Sequence, residues 1–101
     1  MENGFYAGEV LRQLGGNRFI AMTGAKQFVK DDEKRSISFR IGRNSEGVNV
    51  VRITLNAMDT YDMEFLSVRA GNVKVKSTSD GVYCDGLEQS FTTHTGLYTS
   101  L

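Results

Sequence analysis

The fold is decided by the stretch Asn49–Val68, which reads NVVRITLN, then AMDT, then YDMEFLSV. Both arms alternate apolar with polar residues, and AMDT separates them. The alternating apolar positions are Val51, Ile53 and Leu55 in the first arm and Tyr61, Met63 and Phe65 in the second. Alternation of period two is typical of strands with one buried and one exposed face. We therefore predict a hairpin here, with the rest of the chain packed on it or extending it.

Three further strands are predicted beside this hairpin. Residues 36–41 alternate serine or arginine with Ile37, Phe39 and Ile41, the cleanest strand pattern in the chain. The segment 18–29 is interpreted as one strand bent at Gly24, because a glycine inside a strand pattern indicates a bulge or kink. After a turn at residues 70–72, two valines alternate with two lysines and predict a last strand.

The first residues carry a helical pattern. Asn3 is predicted to cap a helix whose apolar residues recur every three or four positions from Tyr6 to Leu14. The glycine pair at positions 15–16 is predicted to end it in a left-handed conformation. Such a short helix is marginal alone, so its apolar stripe must dock on the sheet.

A second helix is predicted near the C-terminus. Ser79 or Asp80 is its expected cap, and Gly96 its expected terminator. Its apolar stripe consists of Tyr83, Leu87 and Phe91, which are spaced by four residues. This helix and the first one are expected to cover the same apolar face of the sheet.

These elements predict an α+β fold in one domain that spans residues 1–101. The connections between strands are too short for a helical crossover, so neighbouring strands must run antiparallel as a meander. The expected architecture is an antiparallel meander sheet of four to five strands, with an N-terminal and a C-terminal helix packed on one face.

Composition excludes several classes of protein. The 12 basic and 12 acidic side chains leave no net charge to steer the whole chain toward nucleic acid or acidic membranes. The single cysteine, Cys84, excludes an internal disulfide and a cysteine-based metal cage. No run of 18 apolar residues and no signal-peptide pattern occurs, so we expect a cytoplasmic protein without membrane association. No cofactor is predicted.

The hairpin departs from its own pattern at one end. If Phe65 faces the core, then Leu66 and Val68 fall on the opposite face together with the carboxylates. Either a bulge near Phe65 resets the register of this strand, or the outer face has an apolar end that needs cover. The second alternative makes Leu66 and Val68 a candidate partner surface, for a homo-oligomer or for another protein.

Asp62 and Glu64 resemble a pair of catalytic or metal-binding carboxylates. In the predicted meander, however, they lie between strands whose outward residues are arginine or lysine, with Lys74 and Lys76 expected on the following strand. Cross-strand charge pairing explains this arrangement without any catalysis. We therefore predict no catalytic residue and no metal ligand. Cys84 and His94, expected about 15 Å apart on one helix, are too distant for a thiol–imidazole pair.

A smaller basic region favours a second function. Residues 12–52 hold nine basic against four acidic side chains. Within them Arg40, Arg43 and Arg52 are candidate phosphate contacts of a small nucleic-acid-binding module. The mixed charge of the outer sheet face weakens this hypothesis, and solubilising charge is the simpler explanation.

Three segments resemble a family of small proteins encoded by bacteriophages, prophages and related mobile elements. They are LGGNRFIAMTGAK at 14–26, VRITL at 51–55 and TGLYT at 95–99, and the similarity spans nearly the whole chain. The resemblance implies a phage-associated protein in the cytoplasm of a bacterial host, and it transfers no catalytic residue. Our main expectation is a non-enzymatic accessory protein that acts through protein–protein contact.

Overall fold

The computed structural model describes residues 7–99, which form one antiparallel sheet with three helices. The strands are adjacent in sequence order from β1 to β5, which confirms the predicted α+β meander. The strands are β1 (Lys26–Asp31), β2 (Ser36–Arg40), β3 (Val50–Leu55), β4 (Tyr61–Arg69) and β5 (Asn72–Val82). The helices are α1 (Ala7–Leu14), α2 (Gly16–Thr23) and α3 (Leu87–Thr95), and a 3-10 turn, Cys84–Gly86, precedes α3.

The predicted hairpin is the centre of the sheet. β3 and β4 pair without interruption, with Val51 opposite Phe65 and Ile53 opposite Met63. Because directly opposed residues share a face, all the alternating apolar positions of the two arms point to one side. We call this side the helix face and the other side the outer face.

All three helices contribute buried residues to the core on the helix face. Phe19 of α2 joins the layers, since its ring lies edge-on to Phe39 of β2 at 5.7 Å and to Phe91 of α3 at 5.1 Å. The core residues shared by helices and strands are Val10, Leu14, Phe19, Ala25, Ile37, Phe39, Ile41, Val48, Val51, Ile53, Tyr61, Met63, Phe65, Leu87 and Phe91. The sheet therefore has one covered face, as the sequence pattern predicts.

The prediction of a single bent strand over residues 18–29 is wrong. Residues 16–23 form α2, and the strand begins only at Lys26. Thr23, four residues after Phe19, is buried on the same side of the helix, and its hydroxyl donates to the Phe19 carbonyl at 2.7 Å. Gly24, expected as a strand kink, is the left-handed C-cap of α2 with φ of 71°. A short apolar run fits a helix or a strand equally well, and here the burial of Thr23 and the contact of Phe19 with Phe91 favour the helix.

The predicted start of the last helix is also wrong. Ser79 and Asp80 lie within β5, which continues to Val82, opposite Tyr61. Gly81, with φ of 68°, allows a bulge that prolongs the pairing. Tyr83, expected in the helical stripe, is 70% exposed, whereas Leu87 and Phe91 are buried and Gly96 ends the helix as predicted.

At the other end, α1 ends at Leu14 next to the predicted glycine pair. The expected cap Asn3 and the first apolar residue Tyr6 lie outside the described residues.

Candidate functional site

The outer face of the sheet carries a set of aliphatic side chains at one end. Leu66 stands between Val50 of β3 and Val75 of β5, and Val68 stands opposite Val73. We call these five residues the outer patch. None of them belongs to the contiguous core that the helices of residues 7–99 cover.

Exposure within the outer patch rises from its centre to the edge of the sheet. Leu66, which has a strand on either side, is only 3% exposed, whereas Val73 is 63% and Val75 is 55% exposed. The patch therefore consists of a buried centre and two accessible valines on the edge strand.

The register of β4 decides between the two alternatives left by the sequence. Phe65 pairs with Ser77 and Leu66 with Val75, so one extra residue, Lys76, is inserted in β5. The bulge thus lies in the neighbouring strand and leaves the alternation of β4 intact against β3. Leu66 and Val68 remain on the outer face, where they form an apolar end.

Asn49 fixes the position of Val68. Its Nδ2 donates to the Val68 carbonyl at 2.9 Å, and its Oδ1 accepts from the Val68 N–H at 2.8 Å. β3 begins only at the next residue, so the side-chain amide continues the ladder in place of a backbone. These two bonds attach the apolar end of β4 to the residue that precedes β3.

The expected cross-strand charge pairing exists in one place. Arg52 lies opposite Glu64, and its Nη1 donates to the carboxylate at 2.9 Å. The expected pairing of the carboxylates with β5 lysines is wrong, because Lys74 lies opposite Ser67 and Lys76 occupies the bulge. The same register places Val73 and Val75 on the outer face, where the sequence pattern had suggested lysines.

Asp62 is engaged in main-chain and side-chain contacts of the sheet. Its Oδ1 accepts from the Gly81 N–H and from Asn56 Nδ2, both at 3.0 Å. These bonds hold the second bulge of β5 and the β3–β4 turn together. Asp62 and Glu64 therefore each have a local structural role, and within residues 7–99 they have no hydrogen-bond partner in common.

The candidate phosphate contacts are only partly brought together. Arg40 lies opposite Val50, so Arg52 is its diagonal neighbour, and Lys26 lies directly opposite Arg40 on the other side. Arg43 lies in the loop between β2 and β3, which the Asn44 side chain closes by accepting from the Glu46 and Val48 amides. Lys26 and Arg40 flank the outer patch with positive charge, whereas Arg52 is already paired.

A polar groove of about 370 Å³ occupies the other end of the outer face. Small side chains, Ser36 and Ser38, lie between Asp31 on one side and the Arg52–Glu64 pair on the other. The groove has charges of both signs beside each other, so no single charge acts unopposed on a ligand there.

Cys84 and His94 do not form a reactive pair on one helix. Cys84 is exposed in the 3-10 turn, outside α3. His94 stacks on Phe65 with ring centroids 4.6 Å apart, and its Nδ1 lies 2.8 Å from Ser77 Oγ.

Burial raises the pKa of Tyr61 above its ordinary value. Within residues 7–99 no three potential metal ligands cluster together.

Sequence reasoning identified Leu66 and Val68 but missed the other members of the outer patch. The orientation of Val73 and Val75 could not be read from the sequence, because the bulge at Lys76 reverses the face of the residues before it. Asn49 carried no signal, since a capping amide in a sheet depends on where the neighbouring strand ends.

No family model, curated protein or solved structure matches this chain. None of the helices described for residues 7–99 is long and apolar enough to cross a membrane.

Proposed function

We propose that this chain is a non-enzymatic accessory protein that acts through protein–protein contact at the outer patch. The observation that carries the proposal is the pair of exposed valines, Val73 and Val75, beside Leu66 on the sheet face opposite the helices. An exposed apolar surface rimmed by polar residues is typical of a site for a partner. A patch of five aliphatic side chains is small, so it suits a transient contact or the centre of a larger interface.

The surroundings of the patch favour a partner with acidic groups near its apolar contact. Lys26 and Arg40 lie opposite each other at the end of the row that continues through Val50 to Leu66. A carboxylate-bearing surface would relieve their mutual repulsion and speed the encounter of the two proteins.

The resemblance of the sequence to proteins of phages, prophages and mobile elements supplies the proposed setting. The partner would be a host or phage protein in the bacterial cytoplasm, or a second copy of this chain. The proposal of a non-enzymatic role is supported by the engagement of Asp62 and Glu64 in structural contacts.

The test is quantitative co-purification from lysogenic or infected bacteria with matched variants. Val73→Glu/Val75→Glu places charge on the outer patch, and Val29→Glu is the control. Val29 is 61% exposed on the same face of the other edge strand. We expect at least one partner to be lost with the double variant and retained with the control. Equal recovery with all forms would overturn the proposal.

Self-association is tested separately by light scattering over a range of concentrations. A dimer through the outer patch should dissociate in the Val73→Glu/Val75→Glu variant and persist in Val29→Glu. Substitution of Leu66 is unsuitable for this purpose, because Leu66 is buried and a charge there would damage folding. A monomer at every concentration would remove the second copy as the partner.

A second candidate function, nucleic-acid binding, is favoured by one observation. Lys26 and Arg40 are opposed on the outer face and have no carboxylate within ion-pair distance among the described residues. Arg43 adds a charge in the adjacent loop. A gel-shift series over salt tests this, because release of counterions makes binding strongest at low salt. No retardation at low salt would exclude it, and Lys26→Ala/Arg40→Ala should abolish any that occurs.

A further inference from the structure

β5 is an edge strand, and no strand among residues 7–99 pairs with its outer edge next to the outer patch. Arg69 and Asn72 close the β4–β5 hairpin around the two-residue turn Ala70–Gly71, whose φ values are 51° and 84°. A two-residue turn of this class pairs the flanking residues by main-chain hydrogen bonds, and the bonding direction then alternates along the strand. The N–H and C=O groups of Val73 and Val75 consequently point away from β4.

The side chains of this edge differ between its two faces. Val73 and Val75 lie on the outer face, in line with Leu66 and Val68. Lys74 lies on the helix face. The Nζ of Lys76 lies beside Gly47 of the β2–β3 loop, 3.9 Å from the position that a Cβ would take there. Residues 72–79 contain no acidic side chain.

The other edge of the sheet is less suited to pairing. β1 has only six residues, and Gln27, with φ of 56°, interrupts its register with β2. Bulges and short strands are common means of blocking an edge. On β5 the first four residues are paired regularly with β4 before the bulge at Lys76, so an uninterrupted segment is open there.

We infer that the segment Asn72–Lys76 binds an extended strand of a partner protein in which apolar and acidic residues alternate. Main-chain groups of Val73 and Val75 would pair with the added strand, as in β-strand addition. Its apolar side chains would extend the outer patch, and its carboxylates would lie opposite the two lysines on the other face. This inference rests on the proposed protein-binding function and names the chemistry of the partner.

A second copy of the chain does not fit this edge as well. Pairing two copies of segment 72–76 in either direction brings lysine near lysine, which is destabilising between neighbouring strands. The same charges that discourage self-pairing attract an acidic strand.

The test is an amide NMR titration of the full chain with two capped heptapeptides, one of alternating valine and glutamate and the other of alternating valine and lysine. We expect the acidic peptide to shift the Val73 and Val75 amides, and to bind roughly tenfold more tightly than the basic peptide at low salt. The variant Lys74→Glu/Lys76→Glu should reverse this preference. Lys30→Glu/Lys34→Glu, with the same change in net charge on exposed lysines near β1, should retain it.

A further variant, Val75→Pro, removes one outward N–H at a position where an edge strand tolerates proline. It should lose binding while the spectrum of the core stays folded. Absence of shifts at Val73 and Val75 up to millimolar peptide, or the same peptide preference in the reversed variant, would overturn the inference. If a cellular partner still depends on Val73 and Val75 in that case, the proposed function stands and only strand addition fails. If the acidic peptide binds as expected but no cellular partner depends on Val73 and Val75, strand addition stands and the proposed function fails.

Discussion

Phe65 and Leu66 are consecutive residues of β4 and are almost equally buried, at 0% and 3% exposure. Phe65 is covered on the helix face, where its ring stacks on His94 of α3. Leu66 points to the outer face, between Val50 and Val75 of the neighbouring strands. Low exposure therefore occurs on both faces of this sheet, and only Phe65 belongs to the core that the helices of residues 7–99 share with the strands.

The difference matters for function. The helix face is closed by packing within the domain, so its residues mainly stabilise the fold. The outer face leaves Val73 and Val75 accessible around a buried centre, so its residues can stabilise both the fold and a complex.

The largest expected effect is the loss of stability when Phe65 or Leu66 is truncated, and it should differ between the two residues. Phe65→Ala should lower the free energy of unfolding by about 3–5 kcal/mol, because it leaves a cavity enclosed between sheet and helix. Leu66→Ala should cost about 2 kcal/mol, since the space it leaves lies next to solvent and can fill or collapse. Chemical denaturation followed by circular dichroism measures both. Equal losses would show that the outer patch is packed as tightly as the core.

The next effect concerns the support of the outer patch. Asn49→Ala removes two hydrogen bonds to Val68 and should destabilise the protein by about 1–3 kcal/mol, because the main-chain groups lose their partners. Asn17→Ala, at an exposed position of α2, is the control. Hydrogen exchange should report local opening of the Val68 amide in the first variant. Unchanged protection of this amide would contradict the role given to Asn49.

A smaller effect is expected at the charged pair of the outer face. Arg52 and Glu64 are both partly exposed, so a double-mutant cycle with alanine should give a coupling below about 1 kcal/mol that falls with added salt. A larger coupling that does not change with salt would mean that Arg52 and Glu64 are better shielded from water than their partial exposure indicates.

The last prediction concerns the helix face and is confined to alkaline solution. Burial raises the pKa of Tyr61 above its ordinary value of 10.0, so the folded chain keeps the phenolic proton over a range in which the unfolded chain loses it. This contribution to stability is complete below pH 10 and is lost as the pH rises through the folded pKa. Stability measured against pH should therefore fall less steeply above pH 10 in Tyr61→Phe than in the unsubstituted protein. If the stability of both proteins fell equally with pH, the pKa of Tyr61 would not be raised in the folded chain.

Much of the sheet could be predicted from local pattern. Strict alternation in residues 36–41 and in the central hairpin predicted both the strands and their apolar face, because a strand repeats every two residues. Local pattern did not predict the structure of segment 18–29, because its apolar residues fit both the helical and the strand period. The deciding evidence is tertiary, namely the burial of Thr23 and the contact of Phe19 with Phe91.

The candidate site was less predictable. Leu66 and Val68 could be singled out because they leave the alternation of their own strand. Val73 and Val75 could not, since their face depends on the bulge at Lys76, and a bulge is set by how two strands meet.

The α+β class, the meander order and the two-faced central hairpin follow from the amino-acid sequence, because hydrophobic periodicity and short connections are local properties. Tertiary structure alone decided that residues 16–23 are helical and that β5 runs to Val82. It also decided that five aliphatic side chains gather at one end of the outer face. These features depend on which distant surfaces become neighbours, and the energy of burying them is realised only after the chain has folded.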